Sequence, residues 1–310
     1  MNITLLGPQR KVMAARAAVT ELMPEGSIAT INAGWQERES DTGELADVLG
    51  GRMINLELFR RWQHVQTIDP EYATAERRLT QLLAEIQSLY VIRLHHAMSA
   101  LRAVSRRAEV PAVHEVVIED AVRTLDQLDQ WHLQLVAETR NEFYAAVRLG
   151  ERESIVEQRR GLRTLVEECS GMVLAGGHVG IVLHLLHIFG VTQLIRPPLI
   201  AWSAGAMALS DRVVLFHDRT PQGYPHPQMY AEGLGAFRGV LPFPHARRRL
   251  RLEDPRHLAL MVRRFNPRTC LLLGDGVRVD LRDHQPLPTG ARYLAATGEV
   301  MVTGDDHERA

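Results

Sequence analysis

Lysine is almost missing from this chain. Lys11 is the one lysine among 36 basic residues, and the other 35 are arginine. Schiff-base or pyridoxal-type chemistry therefore has a single candidate amine. That amine sits in Gly7-Pro8-Gln9-Arg10-Lys11, which lacks the spacing of a phosphate-binding P-loop. Cysteine is nearly as scarce: Cys169 and Cys270 cannot build a disulfide framework or a cysteine-rich metal centre. Neither sign of charge dominates. The 36 basic residues face 37 acidic ones with no long basic run, which excludes a dedicated nucleic-acid surface. The apolar run within Met1-Asn2-Ile3-Thr4-Leu5-Leu6-Gly7 is too short for a signal peptide. No stretch reaches the ~18 uninterrupted apolar residues of a membrane span. A cytoplasmic protein without membrane partners is expected.

What is present is an ordinary globular composition: 310 residues, 45% hydrophobic and 24% charged, enough for one large domain or two small ones. The arginine excess on its own fits a coding bias. Ile3 to Leu6 reads as a strand, Lys11 to Met23 as a helix, and Ser27 to Asn32 and Arg52 to Leu56 as two further strands. Between about Pro70 and Glu168 the pattern turns helical. Apolar residues from Leu79 to Val104, and again from Ile118 to Val147, recur at three- and four-residue steps. The two helices are separated near Pro111, which disfavours helix through Val110. After Glu168 strands return at Met172 to Ala175, Pro198 to Trp202, Arg212 to His217, Thr269 to Leu273 and Gly276 to Leu281. A terminal hairpin is predicted over Ala291 to Ala296 and Val300 to Thr303. The pattern predicts one interrupted α/β domain. Residues 1–60 and 169–310 form its sheet, and residues 61–168 are a helical insertion acting as a packed hairpin, a dimerisation arm or a lid.

The segment Leu199-Ile200-Ala201-Trp202-Ser203-Ala204-Gly205-Ala206-Met207 carries the clearest chemical signal. An apolar strand enters a serine flanked by small residues two before and two after, as in a nucleophile elbow. A helix N-cap serine has the same local appearance. A serine needs a base, and His245 in Leu241-Pro242-Phe243-Pro244-His245 has a backbone fixed by proline. The base needs an orienting acid. Asp275, between Gly274 and Gly276 after an apolar strand, and Asp218, 15 residues after the serine, are both candidates. The N–H of Ala204 and the Gly176-Gly177 turn could donate to an oxyanion.

In this order the pieces resemble the serine peptidase family of aspartyl dipeptidase (peptidase E) and cyanophycinase. Strand-Gly176-Gly177, Trp202-Ser203-Ala204-Gly205-Ala206, Pro244-His245 and Gly274-Asp275-Gly276 carry the resemblance. It implies an α/β three-layer sandwich with a mostly parallel central sheet, of the class I glutamine amidotransferase type, here interrupted by the helical insertion. It implies Ser203 as nucleophile, His245 as base, Gly177 and Ala204 as oxyanion donors, and no metal or organic cofactor. Two departures from the family are visible: it usually has glutamate where Asp275 stands, and often Asn, Asp or Gln where His178 stands. Ala201 departs by one methyl from the stricter elbow pattern, which has glycine there. Asp218 matches an acidic position associated with the family's active site. The family acts on aspartate-containing peptides. Of the arginines after His245, namely Arg247, Arg248, Arg249 and Arg251, the first three are the expected carboxylate clamp.

The expected activity is thus hydrolysis of a peptide substrate by a homo-oligomer, a dimer formed through the insertion. An inactive scaffold or ligand sensor on the same fold is the alternative. A metal hydrolase built on His95, His96, His184 and His187 lacks the glutamate of a His-Glu-x-x-His helix.

Overall fold

The computed structural model describes residues 2–9, 14–107, 110–217, 226–282 and 285–304. The chain opens with β1 (Ile3–Leu6), α1 (Ala14–Leu22), β2 (Ser27–Ile31), α2 (Gly43–Val48) and β3 (Met53–Asn55). Four helices follow without a strand between them: α3 (Leu58–Ile68), α4 (Pro70–Ser105), α5 (Pro111–Ala146) and α6 (Glu153–Glu167). Alternation resumes with β4 (Cys169–Leu174), α7 (Val179–Ile188), β5 (Leu199–Trp202), α8 (Ala204–Leu209) and β6 (Arg212–Leu215). The remainder is β7 (Gln228–Glu232), β8 (Val240–Pro244), α9 (Ala246–Arg249), α10 (Pro255–Phe265) and β9 (Thr269–Leu273), then β10 (Arg278–Leu281), β11 (Arg292–Leu294) and β12 (Val300–Val302). None of the described helices is long and apolar enough to cross a membrane.

The central sheet runs β10-β1-β5-β4-β2-β3, with β10 antiparallel and the other neighbours parallel. Its strands alternate between two cores. Leu5, Ile31, Met172, Leu174, Leu199 and Ala201 face the larger one. Leu6, Ile28, Val173, Ala175, Ile200 and Trp202 face a smaller one against α1 and α2. A parallel strand buried on both faces reads as a continuous apolar run, which is how β4 and β5 appear in the sequence. The C-terminal ends of β2, β4 and β5 lie side by side, where open parallel sheets place their ligands.

The sequence pattern predicts one sheet from residues 1–60 and 169–310; the described residues of these ranges form three. Besides the central sheet there is a four-stranded sheet, β12-β11-β9-β8, and a two-stranded ribbon of β6 and β7. Pro242 and Pro244 explain part of the division. A strand with two prolines cannot donate along both sides, and among the described residues β8 is an edge strand paired with β9 alone. The terminal hairpin of β11 and β12 forms as expected.

The long helices pack as a hairpin, each of 36 residues and about 54 Å long at 1.5 Å per residue. Both start on proline at the first turn, where the missing N–H costs nothing. Asp69 caps α4 by accepting from the Tyr72 N–H, and Arg152 grips the same carboxylate with two bonds of 2.6 Å. That guanidinium holds the Asp69 carboxyl well below its usual range.

One buried cluster fastens the hairpin to α10 and β7, and the bond between Glu76 of α4 and His184 of α7 is a second attachment to the α/β body. Arg264 on α10 donates to both oxygens of Asp129 on α5, at 2.8 and 2.7 Å, and to the Pro227 carbonyl at 2.6 Å. Tyr90 on α4 donates to Asp129 at 2.7 Å and accepts from Arg264 and from the Met229 N–H of β7. The ion pair is almost fully buried, at 1% and 3% side-chain exposure. A buried pair of this kind offsets its desolvation only when the remaining donors and acceptors are satisfied. Removing one partner strands the other. Asp129→Ala is expected to lower unfolding free energy by about 3–5 kcal/mol. The double variant Asp129→Leu with Arg264→Met should be less destabilised than either single change. Urea denaturation measures both; a single variant within about 1 kcal/mol of wild type contradicts this account.

Candidate active site

Ser203 stands directly after β5 with φ 50° and ψ −118°, a conformation that side-chain-bearing residues avoid. An N-cap serine has extended backbone and bonds to the first turn of its helix. Ser203 has neither feature. The close packing that holds it explains its small neighbours. A Cβ on Gly205 would lie 2.5 Å from the Leu174 carbonyl oxygen, and one on Gly176 would lie 2.8 Å from the Ser203 Cβ. Strand and helix thus touch through glycine, and the serine is lifted into the open.

His245 follows β8 and takes the left-handed conformation, φ 57° and ψ 30°. Its N–H donates to the Leu273 carbonyl at 3.1 Å, anchoring it to the end of β9. Its Nε2 lies 3.4 Å from the Ser203 Oγ, at the outer limit of a hydrogen bond. Nucleophile–base contacts in enzymes without substrate are often this long and tighten in the reacting complex. Two strained residues from two separate sheets therefore meet.

Gly177 has φ +121°, and a Cβ there would collide with the backbone of Gly34. The Gly34 carbonyl accepts from the His178 N–H at 2.9 Å, so the turn after β4 is clamped to the turn after β2. Neither the Gly177 nor the Ala204 N–H donates a hydrogen bond among the described residues. Both residues line the same cleft as Ser203 and His245. The arrangement supplies a hydroxyl, an imidazole and two unengaged amides, the components of acyl transfer.

The other sequence candidates divide. Asp275 is exposed in the turn between β9 and β10, makes no hydrogen bond among the described residues and does not line the cleft. Asp218 lies outside the described residues; its chain neighbour His217 lines the cleft. His178 is exposed and caps α7, its Nδ1 accepting from the Ile181 N–H at 3.2 Å. Arg247 and Arg248 are exposed and away from the cleft. Arg249 lines it, with its guanidinium over the Phe216 ring at 5.6 Å. Of the histidines weighed as metal ligands, His184 bonds the buried Glu76, and no group of three or more ligating side chains occurs among the described residues.

The cleft, about 1030 Å³, also has a wall that the sequence did not announce. Trp35, Gln36, Arg38, Asp41 and Glu44, all downstream of β2, line it together with Phe216, His217 and His226. Gly34 at the end of an apolar strand was the available signal, equivalent to Gly176 after β4.

The chain matches no protein-family model and no curated protein sequence.

Two histidines, His187 half-buried and His226 buried, give the fold an acid limit. Burial, reinforced by Arg140 and His184, pushes His187 down to about 4. Burial, reinforced chiefly by Arg102 and His95, pushes His226 on the cleft wall down to about 4 as well. Each stabilises the fold fully above about pH 6.5, the ordinary value, and loses that contribution as pH falls toward 4, because the unfolded chain takes up the proton first. Melting temperature is expected to fall between pH 7 and pH 5, with about 1 kcal/mol per histidine after solvent screening. His226→Gln should shallow that slope. A melting temperature flat across this window contradicts the assignment.

Proposed function

We propose that this chain is a serine hydrolase of peptide bonds, on a fold of the class I glutamine amidotransferase type and akin to the aspartyl dipeptidase and cyanophycinase family. The observation that carries the reading is Ser203. It holds a strained backbone, makes no side-chain cap bond to α8 and sits 3.4 Å from the His245 Nε2.

The Ser203 Oγ attacks the scissile carbonyl carbon as His245 Nε2 takes its proton. The carbonyl π electrons move onto oxygen, which the Gly177 and Ala204 N–H groups receive. Collapse of the tetrahedral species breaks the C–N bond, and His245 gives its proton to the leaving amine. Water, deprotonated by the same imidazole, then splits the acyl-enzyme ester and restores Ser203. Asp218, outside the described residues, is carried as the orienting acid on the family resemblance, since Asp275 is exposed and outside the cleft. Of the arginines that follow His245, Arg249 lines the cleft, and a guanidinium there suits a substrate carboxylate. The reaction as drawn uses no cofactor.

A fluorophosphonate probe on the native protein tests the reading. Labelling should disappear in Ser203→Ala and slow at least ~100-fold in His245→Ala, in line with loss of a general base. It should slow markedly in Asp218→Asn but not in Asp275→Asn. No labelling between pH 6 and 9 would favour an inactive scaffold. Equal effects of the two aspartate changes would remove Asp218 from its role.

A further inference from the structure

Five non-glycine residues among those described have positive φ: Gln36, Glu57, Arg148, Ser203 and His245. Three of them, Gln36, Ser203 and His245, line one cleft. Gln36 is closer to the nucleophile in conformation than the base is, with φ 58° and ψ −124° against φ 50° and ψ −118° for Ser203. This is the geometry of the first central residue of a type II′ turn, a position that glycine dominates. Glycine would fit the Gln36 turn without strain, yet the chain carries a long amide side chain there.

The surrounding structure forces the conformation from both ends. Upstream, the Gly34 carbonyl is bound by the His178 N–H, and the Trp35 N–H donates to Asn32 at 2.8 Å. Downstream, the Gln36 carbonyl accepts from the Glu39 N–H at 2.8 Å. Glu39 is itself buried, with its two carboxylate oxygens on the Phe59 and Arg60 N–H groups at 3.0 and 2.9 Å. Its carbonyl is held by Asn32 and Asn55 at 2.7 and 3.0 Å. Backbone strain persists where neighbouring contacts over-determine it, and it gathers at functional positions. In this turn the Gln36 carboxamide makes no hydrogen bond among the described residues.

We propose that Gln36 is a substrate-binding residue, its carboxamide pairing with a peptide group of the substrate laid across Ser203. This rests on the peptide-hydrolase reading above. A carboxamide offers one acceptor and two donors, the complement of a peptide C=O and N–H, and it carries no charge to favour one side chain over another. Gln36 then holds the chain of the substrate, while Arg249, also lining the cleft, reads its charge.

The test uses the full-length chain in a Ser203→Ala background, so that binding is measured without turnover. The probes are the dipeptides Asp-Ala and Ala-Ala, followed by calorimetry and by thermal melts. Gln36→Gly is expected to raise the melting temperature by about 1–3 °C, through relief of strain. It should also weaken binding of both dipeptides at least tenfold. Gln36→Ala keeps the strain and loses the amide; it should bind as poorly without the rise in melting temperature. A purely structural Gln36 would leave binding untouched. The proposal is overturned if Gln36→Gly binds as well as its parent, if it melts no higher, or if the Ser203→Ala parent binds neither dipeptide. Fluorophosphonate labelling of wild-type protein requires no dipeptide, so it reports separately on the hydrolase reading.

Discussion

A buried ion pair ties the helical hairpin into the α/β body. Arg264 and Asp129 meet with under 5% of either side chain exposed, and Tyr90 closes the cluster by bonding to both and to the backbone of β7. A guanidinium in that position has no solvent to fall back on, so its partners fix it in one geometry. Through it α4, α5, α10 and β7 become one body. The chain enters β7 past His226, which stacks on His95 of α4 and forms part of the cleft wall. The helical hairpin is therefore no loosely attached appendage. It is built into the side of the molecule that frames the site.

The cleft is assembled from strand ends held close by glycine and strained by design of their surroundings. Gly34, Gly176, Gly177 and Gly205 sit where a methyl group would strike backbone or Ser203 itself. Such close packing brings three turns together, after β2, β4 and β5, and forces Ser203 and Gln36 into conformations they would not choose alone. The strain is local, whereas the contacts that maintain it are spread over buried neighbours such as Glu39 and Leu174.

Much of the framework was legible in the sequence because it depends on local patterns. Apolar runs marked β1, β4, β5 and β9, and three- and four-residue spacing marked the long helices. The order of Gly176-Gly177, Ser203 and Pro244-His245 led to side chains that do meet. What escaped has physical reasons. Arg264 and Asp129 lie 135 residues apart, and nothing near either announces the other. The separate sheet holding β8 and β9 depends on edge pairing, a long-range choice. Asp275 had the right local setting, a strand followed by a glycine-flanked turn, but the turn faces solvent. Gln36 was invisible because strain at a residue other than glycine leaves no compositional mark.

Ser203 and His245 belong to sheets that share no backbone ladder. Their 3.4 Å separation rests on side-chain packing rather than on strand pairing, and β8, which leads into His245, packs its Phe243 against Phe216 at 4.7 Å and against Phe265 at 6.4 Å between ring centres. A compact state that kept every strand and helix but loosened those rings would retain its far-ultraviolet dichroism and lose the alignment of hydroxyl and imidazole. The dyad is in that sense a gauge of tertiary order, responding to the fit between two layers before either layer comes apart.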